Sequence, residues 1–134
     1  MGGVRTIQES DKTILEIDYS GANEDGMIAL ISEAAEKGMA KNERVLVLAL
    51  HNKNYITPRF VQHAKSVTQP VIHLIDKMAF VGLNTTQRII LMGYSIFFQK
   101  NFKAFATREE AITYLLNSST TDNDLPDYYK RNEN

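Results

Sequence analysis

From residue 4 to residue 117, hydrophobic positions recur at every second residue in some stretches and at three- and four-residue steps in others. Such switching predicts strands interleaved with helices. Val4 to Glu9 and Thr13 to Tyr19 flank Ser10-Asp11-Lys12, a tight-turn tripeptide, and read as a hairpin. Met27, Ile28, Leu30, Ile31, Ala34, Ala35 and Met39 then form one apolar face of a helix that starts near Asn23 or Glu24 and stops around Asn42. Val45 to Leu50 is apolar without alternation, the pattern of a strand covered on both faces. Thr57-Pro58 supplies a hydroxyl cap and a first-turn proline for a second helix carrying Phe60, Val61, Ala64 and Val67. Pro70 interrupts that helix, which resumes as a kinked or two-part element ending near Asp76. Met78 to Leu83 is the next buried strand. Asn84-Thr-Thr-Gln87 is a capping box for a helix running to Lys100, Phe102 to Ala106 is a short strand, and Thr107-Arg-Glu-Glu110 caps a last helix with Ala111, Ile112, Leu115 and Leu116 inward.

The predicted order is β-β-α-β-α-β-α-β-α. After the hairpin, each strand-helix-strand step requires a parallel, right-handed crossover. The fold class is therefore α/β, a mixed, mostly parallel sheet of about five strands packed with about four helices. With 134 residues, 43% hydrophobic and 23% charged, the chain can bury a single core without staples. Cysteine is absent, which removes disulfides, thiolate metal sites and cysteine nucleophiles. Fifteen basic against sixteen acidic residues give a net charge of −1, so no nucleic-acid partner is expected. No apolar run approaches the ~20 residues of a membrane-spanning helix, and the first residues lack a signal-peptide core, so a cytoplasmic protein without integral membrane association is expected. Met1-Gly-Gly-Val-Arg-Thr6 fits the short myristoylation pattern, which chance also produces. Residues 1–117 read as one domain, and 118–134, polar and nearly free of aliphatic side chains, as a loose tail.

Four segments in register resemble a known family: Ile14-Leu-Glu-Ile-Asp-Tyr-Ser-Gly21, Val45-Leu-Val-Leu-Ala-Leu50, Lys77-Met-Ala-Phe-Val-Gly-Leu83 with Gln87-Arg-Ile-Ile-Leu91, and Phe105-Ala-Thr-Arg-Glu-Glu-Ala-Ile-Thr-Tyr-Leu-Leu116. Together they look like the STAS-like (SpoIIAA-like, STAS/SEC14) bacterial proteins. The resemblance implies a βαβ sheet domain with no general catalytic apparatus. Phosphoregulated relatives, the anti-sigma-factor antagonists, carry an aspartate-serine-serine-glycine-like motif after the central strand. Here that segment is His51-Asn-Lys-Asn-Tyr-Ile-Thr-Pro-Arg59, with Thr57 its only hydroxyl apart from Tyr55, so kinase switching is not implied.

Little in the sequence carries catalytic chemistry. Neither a Gly-rich phosphate loop nor a Gly-x-Ser-x-Gly elbow occurs. His63 and His73 lie on the second helical segment, about 15 Å apart at helical rise, too far to share an ion, and read as solvated; no metal or other cofactor is expected. His51 follows a central strand, and in open α/β sheets ligands settle beyond the carboxyl ends of strands. His51, Asn52, Asn54, Thr57, Asn84, Thr85 and Thr86 are accordingly a candidate polar or anionic recognition site. The alternative is that Thr57, Asn84 and Thr85 only cap helices while Asn52 and Asn54 make the turn. No neighbouring carboxylate orients His51 for acid–base work, although a distant one such as Asp18 stays open.

The helix from Gln87 to Lys100 is apolar around most of its circumference, more than packing on a sheet requires. Tyr94, Phe97 and Phe98 are its candidate interface residues, against the alternative that a neighbouring element covers them. Lys100, Lys103 and Arg108 suggest a modest basic rim. The expected function is a non-enzymatic binding domain, a protein-interaction or regulatory module that self-associates as a dimer. The second reading is a carrier or sensor of a small apolar or amphipathic ligand, which the SEC14 side of the resemblance implies. An enzyme built on His51 with Thr85 or Thr86 ranks last.

Overall fold

The computed structural model describes residues 2–117, so the expectation for 118–134 lies outside the described residues. Strands β1 (Gly3–Glu9) and β2 (Lys12–Asp18) form the antiparallel hairpin. Its loop is two residues, not three: Ser10 and Asp11 both adopt left-handed backbone, φ 49° and 68°, and Lys12 pairs with Glu9. Two consecutive left-handed residues match the right-handed strand twist, which closes the hairpin one residue early.

Helix α1 (Glu24–Lys41) begins at Asn23, whose side chain accepts from the Gly26 N–H at 2.9 Å, and ends at the left-handed Asn42. Met39 departs from its predicted inward face and is 58% exposed. Eighteen helical residues span about 27 Å whereas a six-residue strand spans about 20 Å, so the last turn overhangs the sheet. Strand β3 is Val45–Leu50, as predicted. Helix α2 (Pro58–Thr68) is capped by Thr57 and passes directly into a 3-10 segment, Gln69–Leu74. Strand β4 then runs Ile75–Val81, so Ile75, Asp76 and Lys77 belong to the sheet and Gly82 and Leu83 do not. The helical reading through Asp76 fails because Pro70 tightens the chain, and the charged Asp76 and Lys77 hide the strand's apolar pattern. Helix α3 (Thr85–Phe98), strand β5 (Lys103–Phe105) and helix α4 (Arg108–Leu116) complete the fold; both predicted capping boxes, at Asn84 and at Thr107, are present.

The sheet order is β1-β2-β3-β4-β5, with only β1 antiparallel. The oily strands at 45–50 and 75–81 are adjacent and parallel. Because the order advances in one direction, right-handed crossovers put α1, α2 and α3 on the same face. That face buries Leu15, Ile17, Val47, Met78 and Phe80 against Met27, Ile31, Ala34, Phe60, Ala64, Leu91 and Tyr94. The other face buries Ile14, Leu46, Leu48 and Ala79 beneath Ala111, Tyr114 and Leu115 of α4.

Two charged side chains are buried on the α4 face. Glu16, 2% exposed, accepts from Arg5 Nε at 2.5 Å and from Arg108 Nε and Nη2 at 3.1 and 3.0 Å. Lys77, 5% exposed, donates to the carbonyls of Tyr114 and Asn117 at the end of α4. A cation there also complements the negative end of the helix dipole. Helix α4 is thus held at both ends by charges from the sheet.

Candidate functional site

The seven residues singled out for a polar mouth do gather beyond the carboxyl ends of β3 and β4. The side chains of Asn54, Thr57 and Asn84, however, are turned to the protein's own backbone. The His51 N–H donates to Val81 O at 2.9 Å, extending the β3–β4 ladder by one rung. Gly82, at φ +87°, sits so close that a Cβ there would lie 2.0 Å from His51 O. Only glycine permits that approach.

Asn54, buried, accepts from the Asn52 N–H and donates from Nδ2 to both Tyr19 O and Ala22 O, each at 2.9 Å. Gln87 closes the other side, donating to Asn54 O at 2.6 Å while its Oε1 accepts from the Asn84 N–H. Thr57 accepts from the Phe60 N–H and donates to Glu24, which Arg59 also holds. Those contacts draw the Glu24 carboxyl below its ordinary range, the Thr57 hydrogen bond first and the Arg59 hydrogen bond second. Asn84 caps α3, and Thr85 and Thr86 are exposed in its first turn. Asn54, Thr57 and Asn84 thus fasten loops and cap helices.

His51 itself lies inside rather than at a mouth. Its ring stacks on Tyr19 at a centroid distance of 4.6 Å and faces Phe80 at 6.4 Å. Nδ1 is buried without a hydrogen-bond partner among the described residues, and Asp18, the distant carboxylate considered for it, instead accepts from the Ser20 N–H. Burial lowers the His51 pKa to about 4, so the ring is neutral at physiological pH. Burial likewise raises the Tyr19 phenol well above its ordinary value and pushes Tyr94 up to about 12. A cavity of about 50 Å³ lies alongside, lined by His51, Tyr19, Phe60, Met78, Leu83, Gln87, Leu91 and Tyr94 among others. Sequence reasoning missed Tyr19 and Gln87 here, because both are flanked by polar residues and spacing alone joins neither to His51.

The second cluster of interest is the outer side of α3. Tyr94, a candidate interface residue, is instead 7% exposed, with its hydroxyl donating to Thr68 Oγ1 at 3.0 Å. Phe98 is half-buried against Tyr94 and Phe102, at 5.0 and 6.3 Å. Both face inward, where their rings pack with Phe102 in the core beneath α3. Phe97 remains outside at 47% exposure, and Ile89, Met92 and Ile96 join it at 63, 45 and 47%. At 100° per residue these four fall within an arc of about 140° that also contains Gly93.

The remaining candidates resolve locally. His63 is not simply solvated: its Nε2 lies 2.7 Å from Ser32 Oγ on α1, while His73 is exposed. Of the three basic rim residues, Arg108 is paired with Glu16, and Lys103 Nζ lies 5.7 Å above the Tyr114 ring. Among the described residues no group of three or more His, Asp or Glu is placed to hold a metal, and no helix is long and apolar enough to cross a membrane.

No family model and no curated protein matches this sequence. Among solved structures, the chain is similar to an uncharacterised protein of the DUF3478 family from Shewanella loihica PV-4, described as having a SpoIIAA-like fold. The TM-score is 0.61 at 11% identity, over 86% of this chain and 95% of that one. The mixed, mostly parallel five-stranded sheet agrees with this correspondence, and the chain has a SpoIIAA-like α/β fold.

Proposed function

We propose that this SpoIIAA-like domain is a non-catalytic bacterial module, cytoplasmic in location, that works by docking a partner protein on the outer face of α3. One observation carries the reading: Ile89, Met92, Ile96 and Phe97 stand about half exposed on a single helix face. Exposed contiguous apolar surface of this kind marks interaction sites in soluble proteins. Catalysis has less support, because His51 is sealed among rings with no carboxylate against it and the nearby Thr85 and Thr86 side chains lie in solvent.

The carrier reading rests on the cavity beside His51. At about 50 Å³ it is well below the roughly 150 Å³ of an engineered cavity that admits benzene. A lipid-sized molecule would require it to enlarge, so that reading ranks second.

Photo-crosslinking tests the docking face directly. A benzophenone side chain at Met92 in cells is expected to give a discrete adduct with a protein, whereas the same group at Tyr55, 88% exposed but off α3, is not. No adduct at Met92, or equal adducts at both sites, would overturn the assignment.

A further inference from the structure

We propose that the occupant of the α3 face is a second copy of this chain, packed antiparallel across a two-fold axis at Gly93. The inference rests on the reading of α3 as the docking face and specifies its partner.

Gly93 supplies the first argument. It sits in the middle of a helix with ordinary helical backbone, where glycine weakens the helix relative to alanine. Nothing among the described residues asks for it, since a Cβ placed there would meet none of their heavy atoms within 4 Å. The missing side chain instead opens the centre of the exposed stripe, where another helix backbone can come close.

The stripe is also matched to itself. Ile89 lies four residues before Gly93 and Phe97 four residues after. With the two glycines opposed in an antiparallel pair, Ile89 of one copy meets the partner's Phe97, and the reverse contact repeats it. A closed two-fold contact of this kind uses the same patch on both subunits.

The charge on α3 itself suits an antiparallel rather than a parallel copy. The only charged residue in Thr85–Phe98 is Arg88, at the margin of the face. In the antiparallel pair the two Arg88 backbones stand about 15 Å apart along the axis, beyond the ~10 Å over which exposed charges act at ordinary ionic strength. A parallel pair would bring the two cations side by side. Beside the stripe a single cation from another element, Lys65 Nζ of α2, lies 4.8 Å from the Phe97 ring; one lysine is short of the cluster of Lys and Arg that draws a helix to anionic lipid.

The contact is one helix face, at the small end of specific interfaces, so the dimer should dissociate on dilution. Sedimentation of the full chain between about 1 μM and about 1 mM should show a monomer–dimer equilibrium. Gly93→Leu, which fills the crossing point without touching the core, and Phe97→Asp should each shift the midpoint at least tenfold toward monomer while circular dichroism stays unchanged. Because the chain has no cysteine, introduced thiols report the geometry. Mixing Ile89→Cys with Phe97→Cys should give the mixed disulfide in preference to either symmetric one.

A monomer throughout the range would overturn self-pairing, and a preference for the 89–89 disulfide would overturn the antiparallel arrangement. If the monomer persists while the Met92 photoprobe captures a different protein, the docking face stands and the second copy falls. Flotation of the monomer with phosphatidylcholine vesicles, abolished by Phe97→Asp, would replace both with a lipid surface.

Discussion

His51 shows how far a residue's chemistry depends on its cover. In sequence it is a histidine beyond a central strand, a position suited to ligand contact; in the fold it is a neutral ring between Tyr19 and Phe80. With its pKa lowered to about 4 from an ordinary 6.5, the folded protein binds this proton less readily than the unfolded chain. Its contribution to stability is therefore intact above pH 6.5 and is lost as pH falls from 6.5 toward 4, reaching about 3 kcal/mol. His51→Phe keeps a flat ring in the stack and removes the titration. Urea unfolding at several pH values should show the variant losing less stability than the parent across that window; parallel curves would mean that the ring is not held neutral. Nothing in the spacing of residues 45–54 separates a buried imidazole from an exposed one, because strand periodicity stops at Leu50 and the rings that enclose His51 come from positions 19 and 80.

At the scale of elements, local chemistry was legible wherever a helix begins. Asn23, Thr57, Asn84 and Thr107 all cap as their side chains dictate, and the two box glutamine and glutamate residues reach back to the cap N–H groups. Asn84→Ala and Thr107→Ala should each cost about 1 kcal/mol in denaturant unfolding, the usual loss for a helix cap. Ile89→Gln on the same helix as Asn84 should stay within about 0.5 kcal/mol at dilutions that keep the chain monomeric, since the side chain is already 63% exposed. A large loss at Ile89 would place that side chain in the core and remove the docking face. Less legible was the stretch from Gln69 to Lys77. Its apolar residues suit helix and strand alike, and the identity of Lys77 argues against a buried strand until the carbonyls of Tyr114 and Asn117 are brought to it.

For the whole molecule, the Glu16 contacts join parts of the chain far apart in sequence, Arg5 at one side and Arg108, 92 residues on, at the other. Glu16→Gln keeps the shape but removes the charge from three hydrogen bonds. The expected loss is about 1–3 kcal/mol, the range for hydrogen bonds to charged groups, with faster amide exchange in both β1 and α4. Faster exchange in β1 alone would show that Arg108 does not anchor α4. The sequence by itself determined the α/β class, the parallel run of β2 to β5, the helix starts and most of the core, because each follows from spacing or from a side chain within a few residues. Tertiary structure alone decided that Tyr94 and Phe98 turn inward while Ile89, Met92, Ile96 and Phe97 face solvent. It also decided that Glu16 and Lys77 are buried with partners and that His51 is sealed. A helix that is apolar nearly all round does not say which side the sheet will cover, and a charged residue in a strand does not reveal the distant group that makes its burial affordable.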